Sequence, residues 1–287
     1  RRQPRVVIAD ESFSALGTTV RIVVEAPDAE TLARRARQTV EEYDRRLSRF
    51  RPDSELCALN ADPRERVPAS SLLRDAVRAG LWAAARSGGL VDPTLLPELE
   101  AAGYRDSIEP RTTPLLPDRA PRPARPRPDA RWRAIRVEDD AVIRPPGLRL
   151  DLGGTGKGHV ADLVAQLLGR TRRWAIDCGG DVRVGGAVEQ AVVVAHPFGG
   201  EAARLALTRG AVATSAVHAR AWEGGHHLID PATGEPAWTG IVAATASGET
   251  TLEAETKAKM ALLGGPPIAR ELAMLFVLAD GQVVDAR

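Results

Sequence analysis

Residues 148–162 read LRLDLGGTGKGHVAD. Alternating leucines, a burst of glycines around one lysine, and an apolar-periodic run predict a strand at 148–152, a tight loop, and a helix at about 158–169. Two standard phosphate motifs fail here on spacing. A P-loop needs glycine where Asp151 stands and a hydroxyl residue where Gly158 stands. A dinucleotide fingerprint needs its third glycine where His159 stands. The chemistry outlasts the failed match. Closely spaced glycines (Gly153, Gly154 and Gly156) let a backbone approach a ligand, and a helix opening near Lys157 offers unpaired N–H groups to an anion. An ordinary strand-to-helix turn explains the same residues.

Outward from this loop, strand signals recur at 6–9, 19–24, 174–177, 191–195, 203–207, 241–246 and 273–279. Helical spacing marks 29–48, 70–86 and 251–263. Hairpin-like neighbours late in the chain favour an α+β fold, mixed sheets with packed helices, over a regular parallel repeat. Residues 110–128 hold seven prolines and five arginines, which excludes a helix or a central strand. They read as a surface excursion, with a basic docking arm as the alternative. Because the glycine loop beyond this excursion needs partners from both sides, residues 1–287 are expected to form one intertwined domain.

Composition narrows the function classes. No apolar run approaches the ~20 residues of a membrane span, and a net charge of +1 argues against nucleic-acid or membrane partners held by bulk electrostatics. Two cysteines, Cys57 and Cys178, are too few for a disulfide framework or a zinc site. The opening RRQPRVVIAD carries no apolar signal core; a cytoplasmic location is the expectation, with export left open. Of 39 basic residues only three are lysines: Lys157, Lys257 and Lys259. A chain that builds its charged surface from arginine uses lysine where a compact ammonium suits better than a planar fork.

Four further segments have site-like composition. In VDPTLLPELEAAGY (91–104), Asp92 is either a helix-capping turn residue or a ligand contact. In DCGGDVRVGG (177–186), Asp177 and Asp181 flank a glycine pair that also fits a tight hairpin. In GGHHLIDPATGEPA (224–237), His226 and His227 are adjacent, which suits neither packing nor an i, i+4 metal pair. In TTLEAETKAKMALLGG (250–265), Glu255 and Lys259 share one helical stripe, as an ordinary surface pair also would.

Taken in order, these segments resemble the ApbE family of flavin transferases. The likeness also includes SFSALGTTVRIVV (12–24), RLSRFRPDSELCALN (46–60) and AVATSAVHARAW (211–222), and it covers nearly the whole chain except the Pro/Arg excursion. The resemblance implies an FAD-binding enzyme that transfers FMN to a threonine of an acceptor protein and releases AMP. It implies that the glycine loop, with Gly154 and Gly156, walls a pyrophosphate. It further implies site or site-shaping roles for Asp92, Lys157, Asp162, Asp181, Thr214, Ser215, His227 and Asp230, with His227 preferred to His226 for its spacing to Asp230. The family's divalent cation would be held by the Gly156 carbonyl and by a carboxylate and a threonine four residues apart on the late helix.

Those last two positions are Glu255 and Lys259. A charged lysine has donors only and cannot ligate a cation, so Mg²⁺ is doubtful, no metal ligand is assigned, and Glu255, Lys259 and His227 are the catalytic candidates. Ala216 and Asp177 depart from the family's glycine and asparagine. A rival reading is a metal-independent protein of the same fold that keeps FAD intact as a redox enzyme or flavin carrier. A third is an interaction protein that docks through the Pro/Arg segment.

Overall fold

The computed structural model describes residues 6–286 except 110, 112 and 170. Its main sheet has eight strands in the order β1 (Val7–Ala15), β2 (Thr18–Ala26), β6 (Arg173–Cys178), β7 (Asp181–Gly186), β10 (Gly210–Ala216), β13 (Ile241–Gly248), β14 (Leu275–Leu278) and β15 (Val283–Asp285). Every ladder in it is antiparallel. Small satellites complete the strands: β3 (Arg66–Pro68), β4 (Arg136–Val137) and β5 (Ala141–Ile143) form one, β8 (Gln190–Ala195) and β9 (Glu201–Leu207) a second, and β11 (Ala221–Trp222) and β12 (Gly225–His226) a third. Helices α1 (Ala29–Leu47), α2 (Glu55–Ala61), α3 (Ser71–Arg86), α4 (Leu96–Ala101), α5 (Gly156–Leu168), α6 (Thr251–Gly264) and α7 (Pro266–Leu272) lie around the sheet. The fold is α+β.

Local sequence explains most of these elements. Along α1 the buried residues Ala29, Ala33, Ala36, Val40, Tyr43 and Leu47 form one stripe, while mostly charged and polar residues take the rest. Helix α3 opens on Ser70, whose hydroxyl accepts from the Leu73 amide at 3.2 Å. Strand β2 buries Val20, Ile22 and Val24 completely at period two; each such side chain contributes roughly 1.5–3 kcal/mol. The Gly179–Gly180 pair turns β6 into β7 with positive φ at both residues (68° and 93°), so this hairpin favours glycine at each.

The expected strand at 148–152 is absent. Leu150 is fully buried, but its N–H donates to Asn60 Oδ1 (2.7 Å) and its C=O accepts from Asn60 Nδ2 (2.8 Å). One side chain from α2 does the work of a neighbouring strand, and the glycine loop therefore hangs from α2 rather than from a sheet.

The Pro/Arg segment is mostly exposed yet tied down, and two of its residues, 110 and 112, lie outside the described ones. Arg122 N donates to Trp238 O (2.8 Å), Ala124 N to Leu263 O (2.8 Å) and Arg125 N to Asp230 Oδ1 (2.9 Å). It is an extended strap across the body. Among the described residues no helix is long and apolar enough to cross a membrane.

Candidate functional site

A cavity of about 1260 Å³ opens on the surface. That exceeds the ~300–1,000 Å³ of common small-ligand sites. Its floor is the glycine loop and the start of α5; its rim is built from residues near 49–51, 92–104 and 218–229.

The floor is set by helix crossing. Helix α5 begins at Gly156, and Thr155 makes no side-chain cap. A Cβ on Gly158 would meet Glu255 Oε2 at 2.7 Å and the Leu252 backbone at 2.9 Å, so glycine after the lysine is what lets α5 touch α6. Through that contact Gly158 N–H donates to Glu255 Oε2 at 2.9 Å, and Glu255 Oε1 accepts from Lys259 Nζ at 2.9 Å. Beside them Lys157 Nζ stands 2.6 Å from Asp181 Oδ2. Both lysines line the cavity, whereas Asp181 and Glu255 sit behind them, each with a side chain only 1% exposed. Burial opposes the Lys157 charge, but Asp181 and Glu255 outweigh it and push its pKa up to about 12. Burial drives the Glu255 carboxyl upward, and Lys259 pulls it back.

The rim relies on stacked planes. Arg49 Nε lies 2.6 Å from Asp151 Oδ2, its Nη2 donates to Tyr104 O at 2.7 Å, and its guanidinium covers the rings of Phe50 (4.1 Å) and Tyr104 (4.4 Å). Tyr104 stacks on Trp222 with centroids 5.6 Å apart and meets His227 edge-on at 6.4 Å. Arg220 donates to the Gly17 and Ala219 carbonyls and forms no ion pair among the described residues.

The two histidines differ. The His227 Nδ1 lies 3.2 Å from Arg220 O. A carbonyl only accepts, so Nδ1 carries the proton and Nε2 keeps the lone pair. Burial holds its pKa well below the usual histidine range, which keeps the ring neutral. His226 accepts from Leu228 N at Nδ1 (3.2 Å), is buried away from the cavity, and is lowered to about 4 by burial.

Asp92 also lines the cavity. Its Oδ1 accepts from Thr94 N (2.8 Å) and Thr94 Oγ1 (2.7 Å), its Oδ2 is buried without a partner, and burial raises its pKa. Helix α4 starts after Leu95, so Asp92 is a turn residue and not the helix cap. Gly154, Gly156 and Thr214 line the same space, with Thr214 Oγ1 2.9 Å from Thr245 Oγ1.

Besides Asp181 and Glu255, three expected site residues lie outside the cavity wall. Asp162 caps α6, accepting from Thr251 N (2.8 Å) and Leu252 N (3.0 Å), where the helix dipole favours a carboxylate. Ser215 alternates with Thr214 along β10 and faces away from the cavity. Asp230 holds its own turn through Ala232 N (3.1 Å) and anchors the strap. Sequence reasoning passed over Arg49, Phe50, Tyr104 and Arg220 as site residues. The signal is faint: all four lie in family-like segments, but with 36 arginines in the chain neither Arg49 nor Arg220 stands out.

Residues 16–277 match the sequence profile of the ApbE family. The chain belongs to the ApbE family. Curated relatives include the FAD:protein FMN transferase of Klebsiella pneumoniae (strain 342), 27% identical over 93% of this chain and 83% of that one. Another is the protein of the same name from Escherichia coli (strain K12), 24% identical over 87% and 75%. Among solved structures, an ApbE protein from Thermotoga maritima superposes with a TM-score of 0.79 at 24% identity, covering 97% of both chains. The flavinyl transferase ApbE of Pseudomonas stutzeri gives 0.77 at 22% identity, covering 97% and 93%. These two likenesses concern the fold.

The divalent cation implied by the resemblance does not fit this ApbE chain's donor set. Lys259 has no lone pair to give while charged, and its ammonium already stands at Glu255 Oε1. The other Glu255 oxygen is held by Gly158 N–H. Among the described residues no three His, Cys, Asp or Glu side chains gather as a metal site.

Proposed function

We propose that this chain is an FAD:protein FMN transferase. It would act as one domain in the cytoplasm, on FAD and a flavin-acceptor protein. The observation that carries the reading is the convergence of two ammonium groups, Lys157 and Lys259, with a neutral His227 on one large cavity. Its family membership and the names of its relatives support the same chemistry.

In this reading the acceptor threonine Oγ attacks the FMN-side phosphorus of FAD. The new P–O bond forms as the bond from that phosphorus to the bridging oxygen breaks, and AMP leaves with the bridging oxygen. The threonine proton goes to His227 Nε2. Such transfers depend on positioning and charge neutralisation more than on covalent help. The glycine loop brings backbone close to the pyrophosphate, and the Lys157 ammonium, kept charged by Asp181, faces its oxygens. Asp92, with one oxygen unpartnered, accepts from an N–H of a bound ring.

The test is incubation of the protein with FAD and a threonine-bearing flavoprotein acceptor. AMP should form in step with an FMN mass on that threonine, and a threonine-to-alanine acceptor should give neither. Intact FAD after prolonged incubation with competent acceptors would overturn the reading. Cell fractionation tests the compartment.

A further inference from the structure

Helix α6 carries two lysines two residues apart, and they live in different worlds. Lys257 pairs with Glu253 at 2.7 Å, with side chains 27% and 25% exposed, as an ordinary surface i, i+4 pair does. Lys259 pairs with Glu255 at 2.9 Å, with side chains 10% and 1% exposed, and its end faces the cavity beside the glycine loop. Burying an ammonium and a carboxylate together costs desolvation that a surface pair avoids. Hydrophobic residues of similar size would fill this spot at no such cost, so stability alone does not explain the pair.

The arrangement has an acceptor side and a donor side. Each Glu255 oxygen has a partner: one takes Gly158 N–H, the other Lys259. An ammonium has three donors, and the carboxylate takes one, so two remain for a ligand. The Lys157–Asp181 pair, from the first turn of α5, repeats the pattern, again with the carboxylate behind and the ammonium at the cavity. Two cations whose counter-charges are hidden behind them make a socket for an anion with two phosphates.

We propose that the Lys259 ammonium is a tethered cation that stands against the pyrophosphate of FAD in place of a divalent metal. This rests on FAD being the ligand, and it makes FAD binding independent of added metal. Glu255 is the positioning residue: its longer stem reaches both the α5 terminus and Lys259, and it fixes the ammonium at the floor.

The experiment is FAD titration of the full chain, followed by flavin fluorescence, with EDTA or with Mg²⁺. Wild-type affinity should agree within about twofold in both conditions. Lys259→Met should weaken FAD at least tenfold, about 1.4 kcal/mol, in both conditions. Because that variant leaves Glu255 buried without its partner, a Glu255→Gln, Lys259→Met double variant, neutral throughout, is titrated alongside and should show the same loss. A Glu255→Asp, Lys259→Thr variant should bind FAD tightly only with Mg²⁺, and Lys257→Met should behave as wild type. A tenfold fall in wild-type affinity on adding EDTA, or wild-type affinity in the neutral double variant, would overturn the proposal. AMP release is read separately. Metal-independent FAD binding without AMP removes the transferase reading alone, whereas AMP release with metal-dependent binding removes the tethered cation alone.

Discussion

At the floor of the cavity Lys157 and Lys259 each point one compact charge at one hidden carboxylate. At the rim Arg49 divides a flat guanidinium among Asp151, the Tyr104 carbonyl and two aromatic rings. The floor needs a cation that leaves donors free; the rim needs a plate that holds loops in register. Lysine suits the first task and arginine the second. An otherwise lysine-poor chain thus places two of its three lysines at the floor, where geometry demands them.

The sharpest division of labour lies in the histidine pair. His227→Ala should lower AMP release by roughly 10²–10⁴-fold, the range for loss of a general base, with little change in thermal midpoint. His226→Ala should do the reverse, since its ring is buried within the β11–β12 hairpin. Kinetics and melting curves on both variants decide it; a His227 variant that melts early would make the rim a structural prop only.

Loss of Lys157 is next in size. Lys157→Ala strands Asp181 as a buried carboxylate, which should cost about 3 kcal/mol, the low end for breaking a buried pair, because Lys157 keeps some solvent. Urea unfolding would show it. A loss under ~0.5 kcal/mol would mean that the floor is as forgiving as the surface.

The third expectation concerns pH. His226 is lowered from the ordinary 6.5 to about 4. The unfolded chain therefore binds a proton that the folded one refuses, so its contribution to stability falls as pH drops from about 6.5 and levels off below about 4. His227 is lowered too, so AMP release should show no acid limb near 6.5. A limb at that pH in kcat/KM would mean that the ring is hydrated and freely titrating.

Arg49→Lys sharpens the contrast from the other side. It keeps the charge near Asp151 but gives up the stacked plane, and should cost on the order of 1 kcal/mol in a melting experiment. Full rescue by lysine would erase the difference between rim and floor. The smallest effect belongs to Lys257→Ala, an exposed helical pair worth ~0.2–0.5 kcal/mol, measurable only by careful chemical denaturation.

What was legible in the sequence was local. The α1 stripe, the Gly179–Gly180 hairpin and the Glu255–Lys259 spacing all follow from neighbours within a turn or a strand. What escaped was set by distant partners. Leu148, Leu150 and Leu152 alternate as a strand does, but Asn60, 90 positions away, satisfies the backbone instead. Asp162 reads as a ligand residue by family position, yet its oxygens face the first turn of α6, 89 residues on. Ser215 follows a genuine wall residue, and period two turns it to the opposite face. Arg49 and Tyr104 meet across 55 residues, a contact that no local pattern announces.

The proline-rich strap has a mechanical side. It binds the end of α6 at Leu263 and the turn at Asp230 through the backbone donors of two consecutive residues, Ala124 and Arg125. Each proline has φ already fixed near −65°, so the unfolded segment samples few shapes and loses little freedom on docking. A glycine-rich segment in the same place would give up roughly 1–2 kcal/mol of backbone entropy per residue fixed. The strap therefore works as a stiff ruler laid over the body, holding the helix that bears Lys259 and the turn that follows His227 at one spacing.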